Sequence, residues 1–133
     1  MKTRIIAVLL LSLALFTSCG TVIREKAVSK VANEFLTAYY GMDYEAAKAL
    51  STEEFAAETE LGTDMSTLPE EIVERVKKAA GATSFQIVSI DVESSETVAE
   101  VLFDLYSPEL EKPLRKKLLL QTEGRLALVC AVE

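Results

Sequence analysis

The sequence holds 133 residues, enough for one domain with a single hydrophobic core. Its 14 basic residues stand against 21 acidic ones, and a surface of net charge −7 is repelled by phosphate backbones and by anionic lipid headgroups. That balance argues against nucleic-acid binding, and the absence of any histidine removes the commonest general base near neutral pH and the commonest zinc ligand.

Read from the N-terminus, Lys2 and Arg4 give a positive start, and residues 5–16 are apolar except for Ser12. That run is too short to cross roughly 30 Å of hydrocarbon, which takes about 20 apolar residues. Its length suits the apolar region of a secretory signal. Leu15-Phe16-Thr17-Ser18-Cys19-Gly20 follows and resembles a lipobox, in which small residues precede a cysteine that takes a diacylglyceryl group. Phe16 stands where leucine is usual. The resemblance implies cleavage between Ser18 and Cys19, acylation of Cys19 by chains such as palmitate, and a protein held at the cell membrane or outer membrane. The domain would face the periplasm or lie exposed at the cell surface. Each buried methylene of an acyl chain contributes about 0.8 kcal/mol, so several chains anchor stably. The predicted organisation is a signal peptide over residues 1–18, a lipidated N-terminus and tether over 19–25, and one domain over 26–133. Removing residues 1–18 takes two basic groups and no acid, leaving 115 residues at net −9. Membrane attachment would then come from the lipid and not from a basic patch. As an extended tether, residues 21–25 reach at most about 17 Å.

Val28, Val31, Ala32, Phe35, Leu36 and Tyr39 recur at i, i+3, i+4, i+7, i+8 and i+11, the stripe of an amphipathic helix, with Gly41 as its C-cap. Asp43 can cap a short helix carrying Tyr44, Ala47 and Leu50, and Ser51 with Glu54 has capping-box spacing for a further turn around Phe55. Residues 58–66 read as a polar loop. Pro69-Glu70-Glu71 after Thr67 starts another helix, with Leu68, Ile72, Val73, Val76 and Ala80 as its apolar face and Gly81 at its end. The period then changes to that of strands. They are predicted over 85–93 with a bulge at Ile87-Val88, over 97–106, over 114–122, and over 125–132 after a Glu123-Gly124 turn. Helices followed by consecutive antiparallel strands predict an α+β domain: N-terminal helices packed on a curved antiparallel sheet of about four strands.

The stretch from Val28 to Lys48, with its Phe35-Leu36-Thr37-Ala38 helix end, Gly41/Asp43 turn and Tyr44-Glu45-Ala46-Ala47, resembles the opening helix pair of small bacterial lipoproteins with a nuclear transport factor 2-like, or cystatin-like, domain. Met42 is an insertion relative to that pattern. Gly124-Arg125-Leu126 replaces the family's Gly-Lys-Trp. The resemblance implies a cone-shaped sheet around the first helix, with room for a cavity, and implies no activity, since such folds host enzymes, binding modules and adaptors alike.

The chemistry on offer is sparse. No Gly-rich phosphate loop, nucleophile elbow or paired-cysteine site occurs, and no cofactor is expected. Cys130 lies in the apolar run 126–132 and reads as a small buried hydrophobe. Glu53, Glu54, Glu58, Glu60 and Asp64 lack calcium-loop spacing and read as a hydrated surface. Asp104, the carboxylate that an isomerase-like cone enzyme would need, falls on the strand face opposite Val101, Phe103 and Leu105. It is expected at the surface, paired with Lys116 or Lys117. Phe35, Tyr39 and Phe103 are the candidate pocket residues. The leading expectation is a non-enzymatic, membrane-anchored module binding a small apolar ligand or an envelope protein. An enzyme using a buried carboxylate, and a self-associating accessory protein dimerising through its outer sheet face, stay open as alternatives.

Overall fold

The structure, a computed structural model, describes residues 2–62, 67–123 and 126–133, with side chains from residue 21 onward. Helices come first and strands last: α1 (Lys2–Tyr40), α2 (Tyr44–Ala49), α3 (Glu53–Glu58), a 3-10 turn (Glu60–Gly62), α4 (Glu70–Gly81), then β1 (Ser84–Asp91), β2 (Val98–Tyr106), β3 (Leu114–Glu123) and β4 (Leu126–Val132). The strands form one antiparallel sheet in the order β1-β2-β3-β4, open at both edges and not closed into a barrel. The expected α+β architecture is therefore present.

Alternation decides which sheet face meets the helices. Ala99, Val101 and Phe103 of β2, Leu118 and Leu120 of β3, and Ala127 and Val129 of β4 are all buried. They meet Val28, Ala32, Phe35 and Leu36, the predicted stripe of α1. The β1 bulge also falls where the adjacent apolar pair predicts it: register shifts between Ile87 and Ser89, leaving Val88 outside the ladder and 47% exposed. A second shift lies between Leu119 and Leu120 of β3, opposite Cys130. The free edge of β4 is partly covered. Thr52 N–H donates to Val129 O and Val129 N–H to Leu50 O, both at 2.9 Å.

The end of α1 shows how close reading by residue type can be misplaced by one position. Asp43 N–H bonds Ala38 O at 2.8 Å and Met42 N–H bonds Tyr39 O at 3.3 Å, a Schellman motif whose left-handed residue is Met42, at φ 65°. Gly41 sits one position earlier, where an added Cβ would meet Thr37 O at 2.7 Å. The glycine is needed for close approach, and the extra residue Met42 absorbs the positive φ. Asp43 caps α2 as expected, accepting from Ala46 N–H. For α3 the cap is Thr52, which accepts from Phe55 N–H at 3.2 Å. Ser51 is buried and turns back to donate to Ala47 O at 2.7 Å, so the cap moves to the next residue and, with Phe55 at its third helical position, the predicted capping box is replaced by a single cap bond.

Three expectations need correction. Residues 21–25 are not an extended tether, because α1 runs through them without a break. Residues 58–66 are not all polar loop: Leu61, in the 3-10 turn, is only 3% exposed. The apolar face of α4 is not core. No residue of α4 is buried and Ile72 is 46% exposed, because the inner sheet face is already covered by α1. Gly124 of the predicted Glu123-Gly124 turn, together with Arg125 and Asp64, lies outside the described residues.

Candidate functional site

An aromatic cluster occupies the C-terminal end of α1. Phe35 stacks on Tyr39 with centroids 5.4 Å apart and planes at 16°. Tyr40 stands edge-on to Tyr39 at 5.1 Å and tilts against Phe103 at 6.2 Å, while Tyr44 and Phe55 close the group at 6.2 Å from Tyr39 and 6.1 Å from Phe35. Offset and edge-on rings are the favoured arrangements of the aromatic quadrupole. Helical spacing accounts for Phe35 and Tyr39 on one face, and the Schellman turn swings Tyr44 back onto them.

The three candidate pocket residues thus divide. Phe35 and Phe103 are fully buried and serve as core packing. Tyr39 alone reaches the surface, where its hydroxyl donates to Glu60 Oε1. Tyr40, by contrast, forms one wall of a cleft of about 280 Å³ shared with Leu36, Thr37, Gly41, Ala80 and Phe85. The Tyr40 hydroxyl is buried with no hydrogen-bond partner. Tyr44 donates weakly to Met42 Sδ at 3.4 Å.

Burial and acidity act together on these phenols. Desolvation, then the hydrogen bond and charge of Glu60, push the Tyr39 hydroxyl far above its ordinary 10. Desolvation, with Glu60 second, pushes Tyr40 up to about 12 and also raises Tyr44. The folded state therefore holds these protons more tightly than the unfolded chain does. Its stability is intact below pH 10 and declines as pH rises from 10 through about 12. In a spectrophotometric titration at 295 nm, Tyr39, Tyr40 and Tyr44 are expected to ionise later in the native protein than in the chain unfolded by guanidinium. Superimposable native and unfolded curves would refute the burial of these hydroxyls.

Asp104 is on the outer sheet face, as its strand parity predicts, but its partner differs from the expected lysines. Arg115 lies directly opposite it in the β2–β3 register and clasps both carboxylate oxygens, at 2.9 and 3.1 Å. The guanidinium holds the Asp104 carboxyl below the usual carboxylate range. Lys117 sits 3.8 Å from Glu100 instead. Cys130 is half-buried, its Sγ directed at Leu119 O at 3.4 Å, and burial raises its thiol pKa. Among the described residues no group of three or more histidine, cysteine or acidic side chains is placed to hold a metal ion. Likewise, among those residues no helix is long and apolar enough to cross a membrane. The side chains of Ser18 and Cys19 lie outside those described.

The chain matches no family model, no curated protein and no solved structure.

Two features of this end of the molecule escape residue-by-residue reading. Glu60 lies in a run with no periodicity, so nothing in sequence directs it to Tyr39. Tyr40 is adjacent to the helix stripe and not on it, and becomes a wall only because Ala80 and Phe85 approach from the other side. The density of aromatic residues between positions 35 and 55 was the one available signal.

A second polar cluster is built around Arg24, near the middle of α1, where the helix passes the β1–β2 connection. The Arg24 guanidinium donates to the backbone carbonyls of Val92 and Ser95, the latter at 2.6 Å, and to Thr122 Oγ1 at 2.8 and 3.0 Å. Thr122 is buried and its hydroxyl donates in turn to Glu96 O at 3.3 Å. Asp91 shapes the turn beneath, accepting from the N–H groups of Glu93 and Ser94 at 3.0 Å. One side chain thereby joins the helix to the β1–β2 connection and to the end of β3.

Proposed function

We propose that this protein is a lipid-anchored, non-enzymatic binding module of the cell envelope, held in the cell membrane or outer membrane through acylated Cys19. Support for the anchor comes from the positive start, the short apolar run and the small residues before Cys19. The observation that carries the binding role is the Tyr40 hydroxyl, buried and unpartnered on a residue that lines a cleft with apolar walls from Leu36, Ala80 and Phe85 and hydroxyls from Thr37, Thr83 and Ser84. A buried polar group left without a partner is unfavourable by about 1–3 kcal/mol. The hydroxyl is closed off in the ligand-free domain, so a small, largely apolar ligand bearing one hydrogen-bonding group would relieve that penalty by entering the cleft and turning the Tyr40 ring toward it. Aliphatic and aromatic walls with a few polar groups are the usual make-up of small-molecule sites.

Two experiments bear on the two halves of this reading. Cells labelled with radioactive palmitate are expected to yield a labelled protein that fractionates with membranes, and Cys19→Ser is expected to lose both label and membrane retention. A Cys19→Ser chain that still sedimented fully with membranes would remove the anchor. For the site, Tyr40→Phe deletes the orphan hydroxyl while keeping the ring, so the ligand-free domain is expected to gain roughly 1 kcal/mol in denaturant unfolding. A loss of similar size would mean that the hydroxyl is already satisfied.

A further inference from the structure

The N-terminal end of the domain bears three exposed aliphatic side chains. Val22 is 46% and Ile23 42% exposed on α1, and Leu126 is 71% exposed at the start of β4. Isolated exposed aliphatics are ordinary. These three are set apart by where they lie. Leu126 pairs with Glu123, next to Thr122, and Thr122 is bonded to Arg24. Val22 and Ile23 precede Arg24 on the same continuous helix. All three therefore project from the end of the sheet that α1 leaves.

Resting on the lipid-anchor reading, the geometry of α1 then fixes what covers this end. Cys19 precedes Arg24 by five helical residues, a rise of about 7.5 Å. One headgroup layer is about 5–7 Å thick, taking a roughly 30 Å core within a 40–45 Å bilayer. Arg24 binds three groups of the sheet end, so this segment is a rigid spur and not a swivel. Acyl chains inserted at residue 19 therefore hold the sheet end at the outer edge of the headgroup layer. We infer that this end of the domain seats directly on the lipid surface, with Val22, Ile23 and Leu126 entering the headgroup layer. Glu25, Glu93, Glu96 and Glu123 are exposed around the same end and outnumber the exposed Lys26, so the surface it fits is zwitterionic and not anionic. Tyr39 lies 15 residues beyond Arg24, about 22 Å farther along α1, so the aromatic cluster is remote from the seated end.

The test uses the full acylated chain, which contains no tryptophan, so an introduced indole is a clean reporter. Leu126→Trp and Ile23→Trp place it at the seated end. Leu110→Trp places it in the β2–β3 connection, at the other end of a nine-residue strand and about 27 Å away. Each variant is floated with phosphatidylcholine vesicles carrying bromine on their acyl chains. All three are expected to float, with emission from positions 126 and 23 shifted to the blue and quenched about twofold, because only these two positions lie within the headgroup layer, close to the brominated chains. Position 110 stays unquenched. Flotation with equal quenching at 126, 23 and 110 would overturn the seating while leaving the anchor intact. Failure of every variant to float would overturn both. Exposed positions tolerate the larger ring, and near-ultraviolet dichroism of the tyrosine cluster reports that each variant is folded.

Discussion

Phe35→Ala is expected to destabilise the domain by about 3–5 kcal/mol, the range for deleting a buried phenyl ring from a close-packed core. Phe35 is fully buried between the inner sheet face and the aromatic cluster, stacked on Tyr39 and tilted against Phe55. Its loss removes the transfer free energy of the ring and two favourable ring contacts, and leaves a cavity whose lining is held by α1 and the sheet. A domain of this size has about 5–15 kcal/mol in total, so the variant would lie near the threshold of folding at 37 °C. The measurement is the midpoint of urea unfolding followed by far-ultraviolet dichroism, with unchanged slope as the check that the transition remains two-state. Ile72→Ala supplies the contrast. Ile72 belongs to a stripe of equal periodicity on α4, yet it is 46% exposed, and its change is expected to fall within about 0.5 kcal/mol. Equal losses at the two sites would mean that α4 packs into the core.

That contrast marks what the sequence can and cannot disclose. Periodicity reports that one face of a segment is apolar; it does not report whether anything covers it. The stripe of α1 and the alternation of β2 are mutually consistent because each supplies the surface the other buries, and both are legible from residues alone. The stripe of α4 has the same pattern without a vacant surface to meet, since Val28, Ala32, Phe35 and Leu36 already occupy the inner face of the sheet. Local chemistry was legible to within a residue. Gly41 and Ser51 were the right residue types for a helix end and a helix start, but the left-handed position went to Met42 and the cap to Thr52. Each displaced residue has a tertiary task instead. Gly41 allows Thr37 O to approach, and Ser51 bridges to Val129 of the β4 edge. Partner choice across strands was least legible. Asp104 selects Arg115 over the neighbouring lysines because register places them opposite each other, and the planar guanidinium engages both oxygens at once. The aromatic cleft shares this limit, as its walls come from α1, α4 and β1.

Arg24→Ala is the second substitution with a large expected effect, about 2–4 kcal/mol, and its consequence extends beyond stability. The guanidinium satisfies two backbone carbonyls and a buried threonine hydroxyl, over 68 to 98 residues of sequence separation. Alanine supplies no donor, leaving Val92 O without the partner that Arg24 gives it at an almost fully buried residue. Thr122 keeps its bond to Glu96 O and loses only its acceptor role. Arg24→Lys is expected to recover part of the loss, because an ammonium is a compact donor that lacks the fork needed to span three acceptors. Amide exchange should quicken in the 92–97 connection in both variants and most in alanine, with the aromatic end unchanged. A uniform increase over the whole chain would indicate general unfolding and not release of this joint. With the proposed lipid anchor in place, the joint would convert a lipid attachment into a defined orientation. With Arg24 replaced, the acylated chain should still float with vesicles, while an indole introduced by Leu126→Trp loses most of its quenching because residues 21–23 become a swivel. Retained quenching in the Arg24→Ala background would mean that Val22, Ile23 and Leu126 hold the lipid surface by themselves and that the rigidity of α1 is not what orients the domain.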